Sequence, residues 1–320
     1  MVLMWWTMGL MALASVLMAV RWMIVRRRSA FVAAWRNPSR EDLRQGRVLG
    51  GLFVRTAGDG DTVYLLLHGL GATGLTWGAG VEELADHGVL FMPDLLGWGG
   101  SLDMERTSFT LDDHMAALDN ALQEAGLSSH RLVIGGHSMG AMLALCYAAR
   151  HIDRVDRVVT WGAPTYTDIR TTIKNIGWMP RLFAMDAKPA QVACRIMCAQ
   201  RNAAAHMAVA SRPDVPAPLA AASVEHTWPS YRGSLRALVV DNDWREPLAQ
   251  LDDAGIPVEM QWGANDKIGN PADVEAWAVG RRWIRIVRVP EHDHHLPFVV
   301  AHSAVVESLL ADSDGGRRSL

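Results

Sequence analysis

The amino-acid sequence predicts an α/β protein built on a mostly parallel sheet. Short apolar segments alternate with amphipathic helical ones from about residue 48 onward, the rhythm that crossover connections impose. Half of the 320 residues are hydrophobic and 20% are charged, a balance that allows a large buried core and excludes disorder. The third observation is a glycine-flanked serine, Gly136-His137-Ser138-Met139-Gly140, lying between an apolar strand and a helix-forming run. Such a turn suits a strand that passes directly into a helix.

In chain order, the first element is a helix through residues 2–20, a run without a charged side chain. At about 1.5 Å per residue it would be roughly 28 Å long, close to the hydrocarbon thickness of a bilayer. Trp5, Trp6 and Trp22 stand where aromatic rings favour the headgroup level, and Arg21 could snorkel outward. A cleaved signal peptide would call for a positive charge ahead of the apolar run, and the sequence carries none there. The expectation is a single-pass transmembrane anchor over residues 2–25. Arg26, Arg27 and Arg28 follow it, and the positive-inside tendency then places the remaining domain in the cytoplasm. Cys146, Cys194 and Cys198, an odd number, read as reduced thiols and suit that compartment.

Residues 26–46 read as a basic linker. Eight arginines against Glu41 and Asp42 give +6 over residues 21–47, so the rest of the chain sums to -9 within the total of -3. That acidic body argues against general nucleic-acid binding, which needs surplus basic groups to displace counterions.

Residues 48–56 and 62–68 read as strands joined through the Gly58-Asp59-Gly60-Asp61 turn. A strand at 89–93 follows a helix ending near Gly88, and a strand at 132–135 follows a helix opening at Thr110. There Asp113 stands three residues after the capping threonine, and Leu111, Met115, Leu118 and Leu122 share a face. Strands at 155–161, 258–262 and 283–289 continue the series. Between Pro164 and about Gln250 the rhythm stops. That stretch is rich in Ala, Met and Trp and broken by Pro189, Pro213, Pro216 and Pro218, which predicts a helical insertion over one edge of the sheet. The tail beyond Asp312 reads as frayed.

The chemistry follows from Ser138. Two glycines leave room for a strained turn that exposes the serine oxygen at the start of the next helix. A hydroxyl is a poor nucleophile at neutral pH and needs a base that is itself held by an acid. Both candidates lie downstream. Asp266 follows a strand in Trp262-Gly263-Ala264-Asn265-Asp266, and a histidine cluster follows the last strand in Glu291-His292-Asp293-His294-His295-Leu296-Pro297. Strand ends of a parallel sheet share one edge, where such proteins place their chemistry.

On these residues the sequence resembles the α/β-hydrolase superfamily over roughly residues 48–310. The resemblance is carried by His68-Gly69-Leu70-Gly71, by Asp94-Leu95-Leu96-Gly97-Trp98-Gly99-Gly100-Ser101, by the Ser138 turn and by the Asp266 and His294 loops. It implies an α/β-hydrolase core over residues 47–165 and 251–312, a helical cap over 166–250 and a terminal tail over 313–320. It also implies Ser138, Asp266 and His294 as a triad, with the backbone N–H groups of Leu70 and Met139 as the oxyanion hole. The family's terminal pattern, His followed two residues later by a hydrophobe and Pro, selects His294 first, His295 second and His292 third. Family members acting on alkyl halides or epoxides carry an aspartate where Ser138 stands, which argues against those chemistries and leaves acyl transfer to water.

The expected activity is hydrolysis of carboxylic esters through an acyl-enzyme, with no metal or organic cofactor called for. Lipophilic acyl esters suit an anchor beside an apolar cap, and Trp178, Met179, Phe183, Met185 and Trp228 would line the pocket or form the core of the cap. Thioester, amide and carbon-carbon hydrolysis run on the same triad. An imidazole base titrating near about 6.5 predicts activity that rises through that region to an alkaline plateau.

Other readings compete. Gly69-Leu70-Gly71-Ala72-Thr73-Gly74 with Asp94 twenty residues beyond imitates a dinucleotide-binding fingerprint, but an NAD-type oxidoreductase would leave Ser138, Asp266 and His294 unexplained. The residue 291–295 cluster is too closely spaced for a helix-face metal pair. Asp94 reads as a structural loop carboxylate, Asp241 and Asp243 as weaker rival acids, His137 as a packing or hydrogen-bonding residue, and Cys194 with Cys198 as packing on one helix. A catalytically silent ligand-binding member is the remaining class.

Overall fold

The computed structural model describes residues 2–311 except 167, 169, 172–173, 175–177 and 301, and the side chains of residues 2–14, 178–180 and 302 also lie outside the described set. The strands are β1 (Arg47–Leu49), β2 (Leu52–Ala57), β3 (Thr62–Leu67), β4 (Val89–Pro93), β5 (Arg131–His137), β6 (Val155–Trp161), β7 (Val258–Gly263) and β8 (Ile284–Val289). They form one sheet in the order β1-β2-β4-β3-β5-β6-β7-β8. β2 runs antiparallel to β1 and β4, and every pair from β4 across to β8 is parallel. The observed architecture is thus an α/β-hydrolase fold, a mostly parallel eight-stranded sheet flanked by helices.

The central strands are apolar on both faces because both are covered. Val63, Leu65 and Leu67 of β3 join Leu132 and Ile134 of β5 in one layer, while Tyr64, Leu66 and Val133 point into the other. The first helices are α1 (Val2–Arg28), α2 (Ala30–Ala34) and α3 (Glu41–Gln45), and the first layer packs on the next two, α4 (Leu111–Glu124) and α5 (Met139–Arg150). The second packs on a 3₁₀ segment (Gly74–Asp86) and on the helix His302–Leu310. Thr110 and Asp113 form the reciprocal cap that the sequence predicts at the start of α4.

Two local expectations differ from the fold. The strand expected at 48–56 is a hairpin, because Gly50 and Gly51 both take positive φ (55° and 87°) and reverse the chain between β1 and β2. The helix expected before β4 is 3₁₀, interrupted at Gly78. A side chain there would meet the Arg36 carbonyl oxygen at 2.6 Å, so only glycine allows that close passage.

Between β6 and β7 the described chain includes the helices α6 (Trp178–Ala184), α7 (Lys188–Ala199), α8 (Arg201–Ser211), α9 (Ala217–Ala222) and α10 (Trp228–Leu235). Their apolar side chains bury one another: Phe183 lies 4.0 Å from Tyr231 and 4.7 Å from Trp228 between ring centroids. Met185 is exposed, and the side chains of Trp178 and Met179 lie outside the described residues. The tail after residue 311 lies outside them as well.

The amino-terminal expectation is corrected. A helix α1 (Val2–Arg28) is present, but among the described residues no helix is long and apolar enough to cross a membrane. This overturns the single-pass anchor with a cytoplasmic catalytic domain. The described side chains of α1 include the charged Arg21, Arg26, Arg27 and Arg28. Met18, Trp22 and Met23 instead line an apolar cleft with Ala205 and Val209 of α8 and Ala221 of α9.

Candidate active site

β5 ends at His137 and α5 begins at Met139, so Ser138 alone makes the turn between them. It does so at φ 53° and ψ -117°, a conformation that costs a non-glycine residue on the order of 1–3 kcal/mol. Glycines on either side permit the turn. A Cβ on Gly136 would stand 2.4 Å from the Gly140 carbonyl oxygen, and one on Gly140 the same distance from that of Leu67. The Ser138 N–H donates to the Trp161 carbonyl at 2.9 Å, which ties the turn to β6. The serine therefore sits at the amino end of α5, where free amides favour negative charge.

The loop after β7 brings Asp266 to the same edge. Its side chain is 1% exposed. Oδ1 accepts the N–H groups of Ile268 and Gly269 at 2.8 and 2.9 Å, and Oδ2 lies 2.9 Å from His294 Nδ1. Burial disfavours the charge, but the hydrogen bond and attraction from His294 together with the two amides outweigh it and hold this carboxyl below the ordinary range. An ionised carboxylate only accepts, so His294 Nδ1 carries the proton and donates. Its Nε2 then faces Ser138 Oγ at 2.9 Å with a lone pair able to accept the hydroxyl proton.

Gly162 makes room for this pair. It has φ +60°, and a Cβ there would lie 2.9 Å from His294 Nδ1 and 3.1 Å from Asp266 Oδ2. The Asp266 loop is braced by the stretch after β6, through Thr165 Oγ1 donating to Asn270 O at 2.7 Å and the Tyr166 hydroxyl donating to Ile268 O, and Trp262 of β7 ties itself to the same stretch by its indole donating to Ala163 O at 2.9 Å. Sequence reasoning singled out neither Gly162, Thr165 nor Tyr166. The available signal was a glycine directly after the 155–161 strand.

Of the three clustered histidines, His294 is the one whose ring meets Ser138 among the described residues. His292 uses its carbonyl to accept the Asn265 N–H at 2.9 Å, and the His295 ring lies 3.4 Å from Asp293 and against Phe31. His137 is buried, and its Nε2–H donates to the His294 carbonyl at 2.8 Å.

The loop after β3 runs beside the serine, since a Cβ on Gly69 would lie 3.2 Å from Ser138 Cβ. Leu70 follows directly. Among the described residues neither the Leu70 nor the Met139 N–H has a protein acceptor. His68 Nε2 accepts the Leu95 N–H at 2.8 Å, which leaves Nδ1–H to donate to Gly69 O at 2.8 Å. Burial lowers this imidazole to about 4, so it is neutral.

Asp94 is 1% exposed and fully engaged. Oδ1 accepts from Arg55 at 2.6 Å and from the Gly74 N–H at 2.8 Å, while Oδ2 accepts the Gly100 N–H at 2.9 Å. In a dinucleotide site this carboxylate would take a ribose hydroxyl and the Gly74 amide would face phosphate; here each satisfies the other. Asp241 and Asp243 pair with Arg236 and Arg245. Cys194 and Cys198 have their sulfurs 3.9 Å apart, and Cys198 donates to the His226 carbonyl.

A family model described as alpha/beta hydrolase fold matches residues 63–300. This chain belongs to the alpha/beta hydrolase fold family. Among relatives, an uncharacterized protein of Mycobacterium tuberculosis is 29% identical over 234 residues, covering 67% of this chain and 64% of that protein. The match thus spans less than two thirds of the relative's length. Among solved structures, an enol-lactonase from Burkholderia xenovorans LB400 superposes with TM-score 0.62 at 20% identity, covering 82% of this chain and 99% of that one. A thermophilic esterase from Thermogutta terrifontis gives TM-score 0.58 at 21% identity, covering 79% and 90%. At these identities the structures establish the alpha/beta hydrolase fold shared by all three.

Proposed function

We propose that this chain is a serine hydrolase that cleaves carboxylic esters, with Ser138 as nucleophile, His294 as general base and acid, and Asp266 holding the imidazole. The observation that carries the reading is the continuous path from Ser138 Oγ to His294 Nε2 and from Nδ1 to Asp266 Oδ2, each step 2.9 Å. Ser138 Oγ attacks the acyl carbonyl as its proton passes to Nε2, and the Asp266 carboxylate stabilises the resulting imidazolium. The proton then returns to the leaving alcohol, and a water activated by the same nitrogen releases the acyl group. The Leu70 and Met139 N–H groups take the oxyanion, each worth about 100-fold to 1000-fold in comparable sites.

The helices between β6 and β7 would act as the cap. Of the two supports for a lipophilic acyl group, the membrane anchor is overturned and the apolar cap residues Phe183 and Trp228 are buried against each other, so the substrate class is carboxylic esters without a preferred acyl group. A fluorophosphonate probe should label the full chain at one site, and Ser138→Ala should abolish both label and ester turnover. A wild-type chain that takes no label, or a Ser138→Ala chain labelled equally well, contradicts the reading.

A further inference from the structure

We infer that His137, the residue immediately before the serine, is a positioning residue whose Nε2–H holds the main chain of His294 in register with Ser138 and Asp266. The inference rests on the serine-hydrolase reading and names a further side chain that this reaction needs.

His294 lies in an irregular stretch between β8 and the short helix Leu296–Val299. Its neighbours are anchored by backbone bonds: His292 O accepts from Asn265 in the loop after β7, Asp293 O from Leu296, and His295 O from Phe298. The His294 carbonyl takes no part in that set. Among the described residues its partner is the His137 imidazole, 2.8 Å away. A carbonyl can only accept, so the proton of His137 resides on Nε2.

His137 is itself held firmly. It is the last residue of β5, in register with Trp161 of β6, and the residue as a whole is 6% exposed. The ring packs edge-on against Phe298 with centroids 4.9 Å apart and lies 4.8 Å from the His294 ring. Burial, followed by the neighbouring His294, pushes its pKa well below the ordinary value, so it remains a neutral single donor.

These contacts close a small circuit. Ser138 is bonded to His137 along the chain, His137 grips the His294 backbone, and the His294 ring returns to Ser138. Asp266 fixes the far end of the ring, but a ring fixed at one nitrogen still moves with its backbone. Misplacement of a catalytic group by about 1 Å can cost on the order of 100-fold.

The test compares His137→Phe, which keeps a ring but loses the donor, with His137→Gln, whose amide reaches about as far as Nε2. Turnover of p-nitrophenyl butyrate is measured per active site titrated with fluorophosphonate, alongside the labelling rate and thermal midpoint. His137→Phe should lower kcat per site about tenfold to 100-fold, slow labelling in step and leave KM within about threefold. His137→Gln should recover most of the rate. If His137→Phe does not fold, His137→Asn, whose amide is too short to reach, is read in the same way. Wild-type kcat per site in a donor-less variant, or equal impairment with Gln and Phe, overturns the inference. A wild-type chain without label or turnover instead removes the serine-hydrolase reading, and the inference with it.

Discussion

Whether the His294 ring can stand between Ser138 and Asp266 depends on a missing methyl group. Gly162 supplies it twice over, through a positive φ that L-residues rarely adopt and through the space a Cβ would take from the imidazole. Gly162→Ala should therefore fold, at a cost of about 1–2 kcal/mol for the backbone conformation, while forcing the ring away from Ser138. The expected result is at least a tenfold slower labelling by fluorophosphonate with a cooperative thermal transition preserved. Labelling at the wild-type rate would mean that the ring does not need that space. Ser138 carries the opposite arrangement: a residue with a side chain holds the strained turn, and on the proposed serine-hydrolase reading its oxygen is the nucleophile.

At the scale of elements, the loops after β3 and β4 are bound together by Asp94, which collects Arg55 from β2 and the Gly74 and Gly100 amides at once. Arg55→Met would leave a carboxylate buried without its counter-charge. Losing one partner of a buried pair typically costs about 3–5 kcal/mol, so the urea midpoint should fall sharply; a loss below about 1 kcal/mol would mean that the pair is better solvated than its burial indicates. This bracing was only partly legible in the sequence. Asp94 could be read as a structural carboxylate because it closes a strand in a glycine-rich loop, but Arg55 is a residue of β2, and nothing local marks it as the counter-ion. The same distinction separates the features of the site. Ser138, Asp266 and the 291–295 loop each follow an apolar strand, so their common edge follows from a parallel sheet. Gly162 and the His137 bond depend on how remote loops meet. The amino-terminal expectation rested on apolar composition and length, and among the described residues no helix is long and apolar enough to cross a membrane.

Among the described residues, histidines are buried at four separate places: His68 after β3, His114 in α4, His137 at the end of β5 and His226 just before α10. Burial is the largest cause of a lowered pKa for each, to about 4 for His68 and His226, to about 3 for His114, and well below the ordinary value for His137. In the unfolded chain each would titrate near about 6.5. From that pH down to about 4 the unfolded chain therefore binds protons that the folded chain refuses, and stability falls as pH falls. Each histidine contributes a slope of up to about 1.4 kcal/mol per pH unit in this window. Asp266, whose pKa is also lowered, adds its own loss only below the ordinary carboxylate value, so the histidines dominate the upper part of the acid limb. Urea unfolding at pH 8, 7, 6 and 5 should show a plateau above about 7 and a steady decline below it. His114→Phe makes the assignment specific. His114 Nδ1 is buried without a protein partner, while Nε2 contacts Ser234 Oγ at 3.0 Å, so the substitution removes one group that must stay unprotonated. The variant should lose less stability than the wild type between pH 7 and 5, whatever its stability at pH 8. Equal pH slopes in the two proteins would show that His114 takes up its proton in the folded state as readily as in the unfolded one.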